Sequence, residues 1–401
     1  MNTVVVTGLG TVNPLGSCVE RFSEALLNGR SGEGRITRFP VDDFPVKLAY
    51  ETRPFEAKSK SSALDPFVRY ALAAAGEAVR DSGLDWDRLD RFRIGCSVSS
   101  SKGGVTTIEK YRERFNRSPS AMLSAICYAS IPPNIAAQWI AKKFQISGPT
   151  LCYVAACATG LTAMIEGARM VAEGRVDVCL AGAADASITP LMLAGYRSMG
   201  ALSRDVLRPF DRRRSGFAIG EGAGVVVLEE RNAARRRGAR IYGEILGWAY
   251  GTDVYKVTHF DPHGRTLSRT LAQLLSLTGL RPMDVDYCHV HGTGTPAGDR
   301  YEAEELGSVF GARSEVTAFS AIKSRTGHML GASGACEFIS VLLSLRDQYV
   351  PGVAHCEMPD KACRLNLVRG AALHKPVRVA LLHNMGFGGR LAAVALRKPE
   401  A

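Results

Sequence analysis

The chain reads Val154-Ala-Ala-Cys157-Ala-Thr-Gly160 where a short apolar segment, residues 146–154, meets a run with helical spacing, residues 161–171. This pattern predicts a strand, a sharp turn through small residues, and then an amphipathic helix. We therefore expect Cys157 at the N-terminal end of a helix, where free N–H groups and the helix dipole favour a thiolate nucleophile. The alternative interpretation of this segment alone is a small buried cysteine that only packs.

Length and composition are those of a globular chain with a large core. The 401 residues are 46% hydrophobic, enough for one large core or two fused ones. No apolar run approaches the roughly 18 residues of a membrane helix, and the strand-like start at Thr3–Thr7 does not resemble a secretion signal. We expect no membrane segment and a cytoplasmic location. The ten cysteines include no C-x-x-C pair, so we expect neither disulfides nor a bound metal.

The charge balance favours an acidic partner. There are 50 basic and 39 acidic residues, which gives a net charge of +11. Aromatic residues make up 7% of the chain and do not alternate with the basic clusters, so nucleic-acid binding is not expected. An acidic carrier protein or an anionic thioester fits the positive net charge at least as well as nucleic acid does.

Strands and helices alternate along the chain, and one pattern occurs twice. A helix, a small-Gly-Leu turn, an acidic spacer and a strand are predicted over Asp65–Asp81, Ser82–Asp85 and Phe92–Val98, and again over Thr266–Leu277, Thr278–Arg281 and Asp284–Val290. We therefore predict two similar α/β halves with buried sheets, residues 1–240 and 241–401, separated near the charged stretch Arg231–Arg240. Within the first half, Gly8-Leu-Gly10 is predicted to form a turn after the first strand.

Three further motifs supply partners for a cysteine nucleophile. A predicted strand end leads into His291-Gly-Thr293-Gly-Thr295-Pro-Ala-Gly-Asp299, which exposes an imidazole and two hydroxyls; His289 is expected to face the other way or to pack. Lys323-Ser-Arg-Thr-Gly-His328 brings two donors to the start of a small-residue helix. Gly386-Phe387-Gly-Gly389 is suited to placing a backbone N–H at an oxyanion. Taken singly, each motif also fits a structural role, such as a packed histidine or a tight turn.

Together and in this order, the four motifs resemble the elongating beta-ketoacyl-acyl-carrier-protein synthases of fatty acid and polyketide assembly. The resemblance covers essentially the whole chain. It implies a thiolase-like, five-layered α-β-α-β-α fold built from two similar halves, usually assembled as a homodimer. It also implies an acyltransferase that has no permanently bound cofactor, because phosphopantetheine arrives on the acyl carrier protein.

The resemblance assigns a role to each motif residue. Cys157 would accept the acyl group, with its own N–H and that of Phe387 holding the oxyanion. His291 and His328 would hold the malonyl carbonyl during decarboxylation, and Lys323 would orient them. Supporting roles are implied for Glu302, expected to form an ion pair with Lys323; Glu337, a further buried acid; and Thr293 and Thr295, which would bind pantetheine.

Some positions depart from the family pattern, and these departures concern the substrate. Lys102 and Tyr196 fall where mostly apolar residues line the acyl tunnel, which predicts a shortened or polar pocket for a short, functionalised or polyketide-like chain. Lys102 pointing to solvent is the alternative. Carrier docking is expected to differ because Ser62, Ala63, Ala121 and Met122 occupy places that are often basic. Arg390 follows the last glycine motif, so that turn needs a different stabilising contact.

These features predict a ketosynthase that condenses an acyl group on Cys157 with malonyl carrier, in specialised fatty acid or polyketide-like biosynthesis. A catalytically silent, chain-length-type partner subunit of a heterodimer is the alternative, although such partners usually lack the cysteine. The sequence leaves open the acyl chain length, the identity of the carrier, and whether a homodimer or a heterodimer forms.

Overall fold

The computed structural model describes residues 1–53, 63–118 and 125–400. Within these ranges the α-helices, numbered α1 to α12, span Val19–Leu27, Pro66–Ser82, Val105–Arg117, Ala125–Tyr128, Ile135–Phe144, Thr159–Ala172, Pro190–Ser198, Arg231–Arg236, Thr266–Thr278, Pro296–Phe310, Lys323–Thr326 and Gly331–Asp347. The strands, numbered β1 to β14, span Val4–Val12, Gly34–Arg35, Leu48–Ala49, Ile94–Ser99, Thr150–Leu151, Val178–Asp185, Gly222–Glu230, Gly243–Thr252, Tyr287–His289, Ala318–Ser320, Tyr349–Val350, Leu373–His374, Val379–Gly386 and Arg390–Arg397.

Ten of these strands form one sheet whose order reveals an internal duplication. The order is β10-β9-β13-β14-β8-β1-β7-β6-β4-β5. Read outward from the central pair β1 and β8, both five-strand halves show the same pairing: two antiparallel steps and then two parallel steps. The two similar halves expected from the repeated sequence pattern are therefore present.

Three hydrophobic cores show how the halves are layered. A central core surrounds α6 and α12 and takes side chains from strands of both halves. One outer core lies between α2, α5 and the first half of the sheet, and the other between α9, α10 and the second half. Strand β7 shows the alternation, since Val226 and Leu228 face the central core and Val225 and Val227 face the outer one. Helices and sheet thus alternate in the predicted order α-β-α-β-α.

Small residues hold α6 and α12 unusually close together. A Cβ at Gly160 would lie 2.7 Å from the Ala335 nitrogen, and one at Gly334 would lie 2.7 Å from the Leu161 nitrogen. Real Cβ atoms do not approach backbone this closely, so only glycine fits at these contacts. This packing brings together the N-terminal ends of the two central helices, which places Cys157, just before α6, beside His328, just before α12.

The predicted bounds of the long helices α2 and α9 agree with the structure, because local capping residues mark where these helices begin or end. Helix α2 follows Asp65, whose carboxylate accepts from the Phe67 N–H, and it ends before Gly83, which has a left-handed φ of 61°. Helix α9 likewise ends at Gly279, whose φ is 68°. The strand predicted over Asp284–Val290 is shorter than expected, because its first residue belongs to a 3₁₀ turn and β9 covers only Tyr287–His289.

The predicted turn at Gly8–Gly10 is wrong, because both glycines lie inside β1. A Cβ at Gly8 would overlap the Ala78 carbonyl oxygen, and one at Gly10 would lie 2.7 Å from the Ala78 nitrogen. These glycines allow α2 to press directly onto the strand. Their purpose is close packing between elements far apart in sequence, which a local turn signal does not distinguish.

We expect Gly10→Ala to lower the free energy of unfolding by about 1–3 kcal/mol or more, because the added methyl group meets the α2 backbone. Gly307→Ala in α10 is the matched control. A Cβ there meets nothing within 4 Å, so that variant should be neutral or stabilised by up to about 1 kcal/mol. Urea unfolding followed by circular dichroism measures both. Equal stability of the two variants would contradict the packing assigned to Gly10.

The predicted boundary between residues 240 and 241 falls between α8 and β8 and stays a prediction. Of the positions proposed to alter carrier docking, Ser62, Ala121 and Met122 lie outside the described residues. Within the described ranges, none of the helices combines the length and apolar character needed to cross a membrane.

Candidate active site

Cys157 lies in the 3₁₀ turn Ala156–Ala158 that leads directly into α6. Ala156 has a φ of +48°, a left-handed conformation that costs a residue with a Cβ of order 1–3 kcal/mol and is typically retained at functional sites. The cysteine is partly buried, and burial raises the pKa of its thiol to about 11, although Lys323 and Lys102 oppose this. Burial thus favours the thiol form of Cys157, so a base beside the sulfur would assist its attack.

Two groups contact the Cys157 sulfur. His328 Nε2 lies 3.1 Å from Sγ, and the Phe387 backbone N–H hydrogen-bonds to the same atom. Phe387 follows β13, and its preceding residue packs tightly on the cysteine turn, since a Cβ at Gly386 would lie 3.0 Å from the Cys157 nitrogen. The glycine motif therefore places a backbone donor at the nucleophile, in the position suited to an oxyanion.

His328 lies between α11 and α12 and is held by its other ring nitrogen. Nδ1 is 3.0 Å from the Ser333 hydroxyl, a group that can either donate or accept a hydrogen bond. Burial, reinforced by the Lys323 ammonium, holds the pKa of His328 well below 6.5, so the ring is neutral at neutral pH. A neutral imidazole can take the thiol proton or donate one to a carbonyl oxygen.

His291 follows β9, and its ring centroid lies 5.7 Å from that of His328. Its pKa is also well below 6.5 because of burial and the nearby Lys323 ammonium. The Lys323 Nζ lies 3.2 Å from His291 Nδ1 and donates to the His291 carbonyl oxygen at 2.7 Å. An ammonium can only donate, so Nδ1 accepts and the neutral ring carries its hydrogen on Nε2.

The predicted ion pair between Lys323 and Glu302 is wrong, since the partner of Lys323 is Glu337. The other Glu337 oxygen accepts from Asn384 Nδ2 at 2.6 Å. Glu302 instead accepts the backbone N–H groups of His291 at 2.5 Å and Gly292 at 2.8 Å. Glu337 therefore anchors the ring and the carbonyl oxygen of His291 through Lys323, and Glu302 anchors its backbone N–H.

These groups border a cavity of about 540 Å³. It is lined by eight of the predicted site residues: Cys157, His291, His328, Phe387, Thr293, Thr295, Lys102 and Tyr196. The Thr293 and Thr295 hydroxyls lie 3.0 Å apart at its wall. The remaining predicted residues, Lys323, Glu302 and Glu337, are buried behind this lining.

The turn that ends in Arg390 is stabilised from a loop the sequence analysis did not single out. The Gly388 N–H donates to the Val257 carbonyl at 2.6 Å, and Gly389 accepts from the Asp253 N–H at 2.8 Å. Both glycines have left-handed φ angles, of 80° and 68°. The loop between β8 and α9 also contributes lining to the cavity, including Tyr255 and Phe260. It therefore supports the Phe387 motif and borders the same space.

Sequence reasoning missed three supporting side chains. Ser333 contacts His328, and Phe217 stacks edge-on between His328 and Tyr196, with ring centroids 5.2 Å from each. His383 contacts Glu302. Of these three, only His383 had a signal in the sequence: the polar pair His383-Asn384 follows a near-continuous apolar strand, which indicates buried polar side chains with a specific role. His289, expected to pack, is fully buried beside Tyr287, and neither ring nitrogen has a partner among the described residues.

The family model for the beta-ketoacyl synthase N-terminal domain matches residues 1–234, and that for the C-terminal domain matches residues 242–357. The chain belongs to the beta-ketoacyl synthase family. The family predicted from the four motifs is therefore confirmed. This beta-ketoacyl synthase is similar to 3-oxoacyl-[acyl-carrier-protein] synthase 2 of Coxiella burnetii, with 36% identity over 98% of both chains. It is 35% identical to the protein of that name from Synechocystis, again over 98% of both chains.

Solved structures place the beta-ketoacyl synthase among ketosynthases of the predicted fold. The ishigamide ketosynthase/chain length factor matches with a TM-score of 0.93 and 30% identity, over all of both chains. A type II polyketide ketosynthase, solved with its acyl-carrier protein and a bound hexaketide, matches with a TM-score of 0.92 and 28% identity, over 99% of this chain and all of that one. The predicted thiolase-like architecture is confirmed by these similarities.

Proposed function

We propose that this protein is a beta-ketoacyl-acyl-carrier-protein synthase that joins an acyl group to malonyl carrier with loss of carbon dioxide. The observation that carries this proposal is the convergence on one cavity of a cysteine thiol, a neutral histidine 3.1 Å from its sulfur, and a second neutral histidine held by a lysine. The Phe387 N–H on the sulfur supplies the donor that acyl transfer requires.

Acylation begins when His328 Nε2 takes the Cys157 thiol proton and the sulfur attacks the thioester carbonyl of an acyl carrier. The Phe387 N–H and the Cys157 N–H stabilise the tetrahedral oxyanion. The intermediate then collapses, the carbon–sulfur bond to the carrier breaks, and the carrier thiolate leaves with the proton returned by His328. The acyl group is left on Cys157.

Condensation follows when malonyl carrier enters the same cavity. His328 has returned its Nε2 hydrogen to the carrier, so it first changes tautomer by proton exchange with solvent, and its Nδ1 then accepts from the Ser333 hydroxyl. The Nε2–H of His291 and that of His328 donate to the malonyl thioester carbonyl, and loss of carbon dioxide leaves an enolate on this oxygen. The enolate carbon attacks the acyl-cysteine carbonyl, and the carbon–sulfur bond to Cys157 breaks. The product is 3-oxoacyl carrier, and one proton from solvent restores the thiol.

Carrier-borne phosphopantetheine is the group proposed to enter the cavity, and it suits the two hydroxyls of Thr293 and Thr295 at the wall. The net charge of +11 favours an acidic carrier. A homodimer is the proposed assembly. Cys157, placed against its base, favours a catalytic chain over a silent chain-length-type partner. The predicted cytoplasmic location stays a prediction.

The direct test is reconstitution with acyl carrier and malonyl carrier, followed by mass spectrometry of the carrier. Formation of 3-oxoacyl carrier, with one carbon dioxide released per condensation, is the expected result. A protein that neither becomes acylated nor decarboxylates malonyl carrier would contradict the proposal and would favour the silent-partner alternative.

The acyl group is proposed to carry a polar substituent that meets Lys102. This ammonium borders an otherwise largely apolar region of the cavity, lies close enough to lower the pKa of Cys157, and has no hydrogen-bond or ion-pair partner among the described residues. A fully aliphatic chain would desolvate the ammonium without replacing its water contacts. Tyr196 is proposed to line the same region.

We expect Lys102→Met to increase acylation by aliphatic thioesters, relative to keto-substituted or hydroxy-substituted ones, by about tenfold. The substitution removes the cost of desolvating the ammonium against an aliphatic chain. This cost is only part of that for a fully buried charge, because Lys102 is exposed. Intact-protein mass spectrometry with matched thioester pairs measures the ratio. Lys143→Met, on α5, is the control for loss of one positive charge. An unchanged ratio in Lys102→Met would contradict the proposed contact between the Lys102 ammonium and the acyl chain.

The decarboxylation rate should stay flat as the pH is lowered from about 8 to 6. Burial holds the pKa of His291 and of His328 well below 6.5, so both keep the neutral form that donates to the carbonyl. Burial also raises the pKa of Asp299, in the first turn of α10, to about 7, and its carboxylate accepts from the Gly294 N–H beside the cavity. The rate should therefore be measured at saturating malonyl carrier, where binding changes do not enter. An activity loss centred near pH 6.5 would contradict these assignments.

A further inference from the structure

His383 is a fully buried side chain in β13 for which the proposed mechanism has no use. Its Nε2 lies 2.6 Å from Glu302 Oε1, while its Nδ1 has no partner among the described residues. The tautomer with hydrogen on Nε2 satisfies both observations, since Nε2–H donates to the carboxylate and Nδ1 leaves no N–H without an acceptor. His383 is thus a third donor to Glu302, after two backbone amides.

Those two amides belong to the active-site loop. Glu302, on α10, accepts from the N–H groups of His291 and Gly292, so its carboxylate fixes the backbone from which the His291 ring projects. The His383 bond in turn limits rotation of the carboxylate. Strands β9 and β13 are parallel neighbours, with Leu382 in register with His289. The His383 bond therefore connects β13, which is followed by Phe387, through Glu302 on α10 to the segment that follows β9 and contains His291.

The neighbouring residue makes a parallel connection. Asn384 donates to Glu337, Glu337 pairs with Lys323, and Lys323 donates to His291. Two consecutive residues of β13 therefore reach two different carboxylates. The route through Lys323 fixes the ring and the carbonyl oxygen of His291, and the route through Glu302 fixes the N–H groups of His291 and Gly292. Both routes start from the strand that carries the Phe387 amide to Cys157.

We propose that His383 is a positioning residue for decarboxylation, which sets the His291 loop relative to Phe387 and Cys157 through Glu302. This assignment rests on the proposed function. The proposal predicts different effects on the two half-reactions. Acyl transfer uses Cys157, His328 and the Phe387 amide, whereas decarboxylation also uses His291, so a displaced His291 should slow decarboxylation and leave acyl transfer unaffected. A displacement of about 1 Å in a reacting group can cost about a hundredfold in rate, so loss of one anchor is enough to be measured.

The test compares His383→Leu, which removes the donor at similar size, with His383→Gln, whose amide N–H extends about as far as Nε2–H. We expect His383→Leu to lower the turnover number for malonyl decarboxylation by about tenfold to a hundredfold. Acylation of Cys157 by an acyl thioester should stay within about threefold of wild type, and His383→Gln should recover most of the lost decarboxylation.

His289→Leu is the matched control, because it removes an equally buried histidine that has no hydrogen-bond partner among the described residues. Its decarboxylation should stay near the wild-type rate. The proposal is overturned if His383→Leu decarboxylates normally, if both half-reactions fall together, if His383→Gln fails to recover, or if His289→Leu loses as much. If the wild-type protein lacks both activities, the proposed function fails and this assignment falls with it. If it has them, these outcomes concern His383 alone.

Discussion

Cys157→Ala is expected to abolish acyl transfer and to lower the condensation rate by about four orders of magnitude or more, because no other group occupies the position of the attacking sulfur. The substitution removes one partly buried atom at a turn of small residues, so the fold should be retained. Intact-protein mass spectrometry should show an acyl adduct on wild type and none on Cys157→Ala. Carrier-linked 3-oxoacyl product should disappear with the adduct.

The same variant should still decarboxylate malonyl carrier, since His291, His328 and Lys323 do not depend on the sulfur for their positions. Cys18→Ala is the control, because Cys18 is also partly buried and precedes α1, away from the cavity lining. An acyl adduct that persists on Cys157→Ala and disappears on another cysteine variant would refute the assignment of the nucleophile.

Much of the fold was predictable because its signals are local. The Asp65 cap, the left-handed Gly83 and the spacing of α6 each lie within a few residues of the element that they define. Gly8 and Gly10 were misjudged for the opposite reason. A turn was predicted from the glycines alone, but what requires glycine here is the close approach of the α2 backbone, which lies about 65 residues further along the chain and leaves no room for a Cβ.

In the candidate site, the sequence predicts the reacting groups better than their supports. A strand end followed by His291, or a glycine motif around Phe387, belongs to one short segment. Which of two buried acids pairs with Lys323 cannot be found in one short segment. It depends on the other donors that each carboxylate already accepts. Glu302 is occupied by two backbone amides and His383, which leaves Glu337 as the ion-pair partner. Only the assembled helices and strands decide this.

Lys323→Met is expected to lower the free energy of unfolding by about 3–5 kcal/mol, because it leaves the buried Glu337 carboxylate without its cation. It should also abolish condensation, since His291 loses the donor to its Nδ1. Chemical denaturation measures the first effect and carrier mass spectrometry the second. A variant as stable as wild type would contradict the ion pair.

The double variant Lys323→Met/Glu337→Gln separates stability from catalysis. A neutral amide in place of the carboxylate leaves no unpaired charge, and its carbonyl can still accept from Asn384, so most of the lost stability should return. Condensation should not return, because the His291 ring is still without its donor. Loss of the lysine also removes a positive charge that lowers the pKa of His291 and of His328, so both values should rise towards 6.5. Any decarboxylation that remains should therefore decline at a higher pH than in wild type, whereas recovery of full activity would show that Lys323 stabilises the fold without orienting His291.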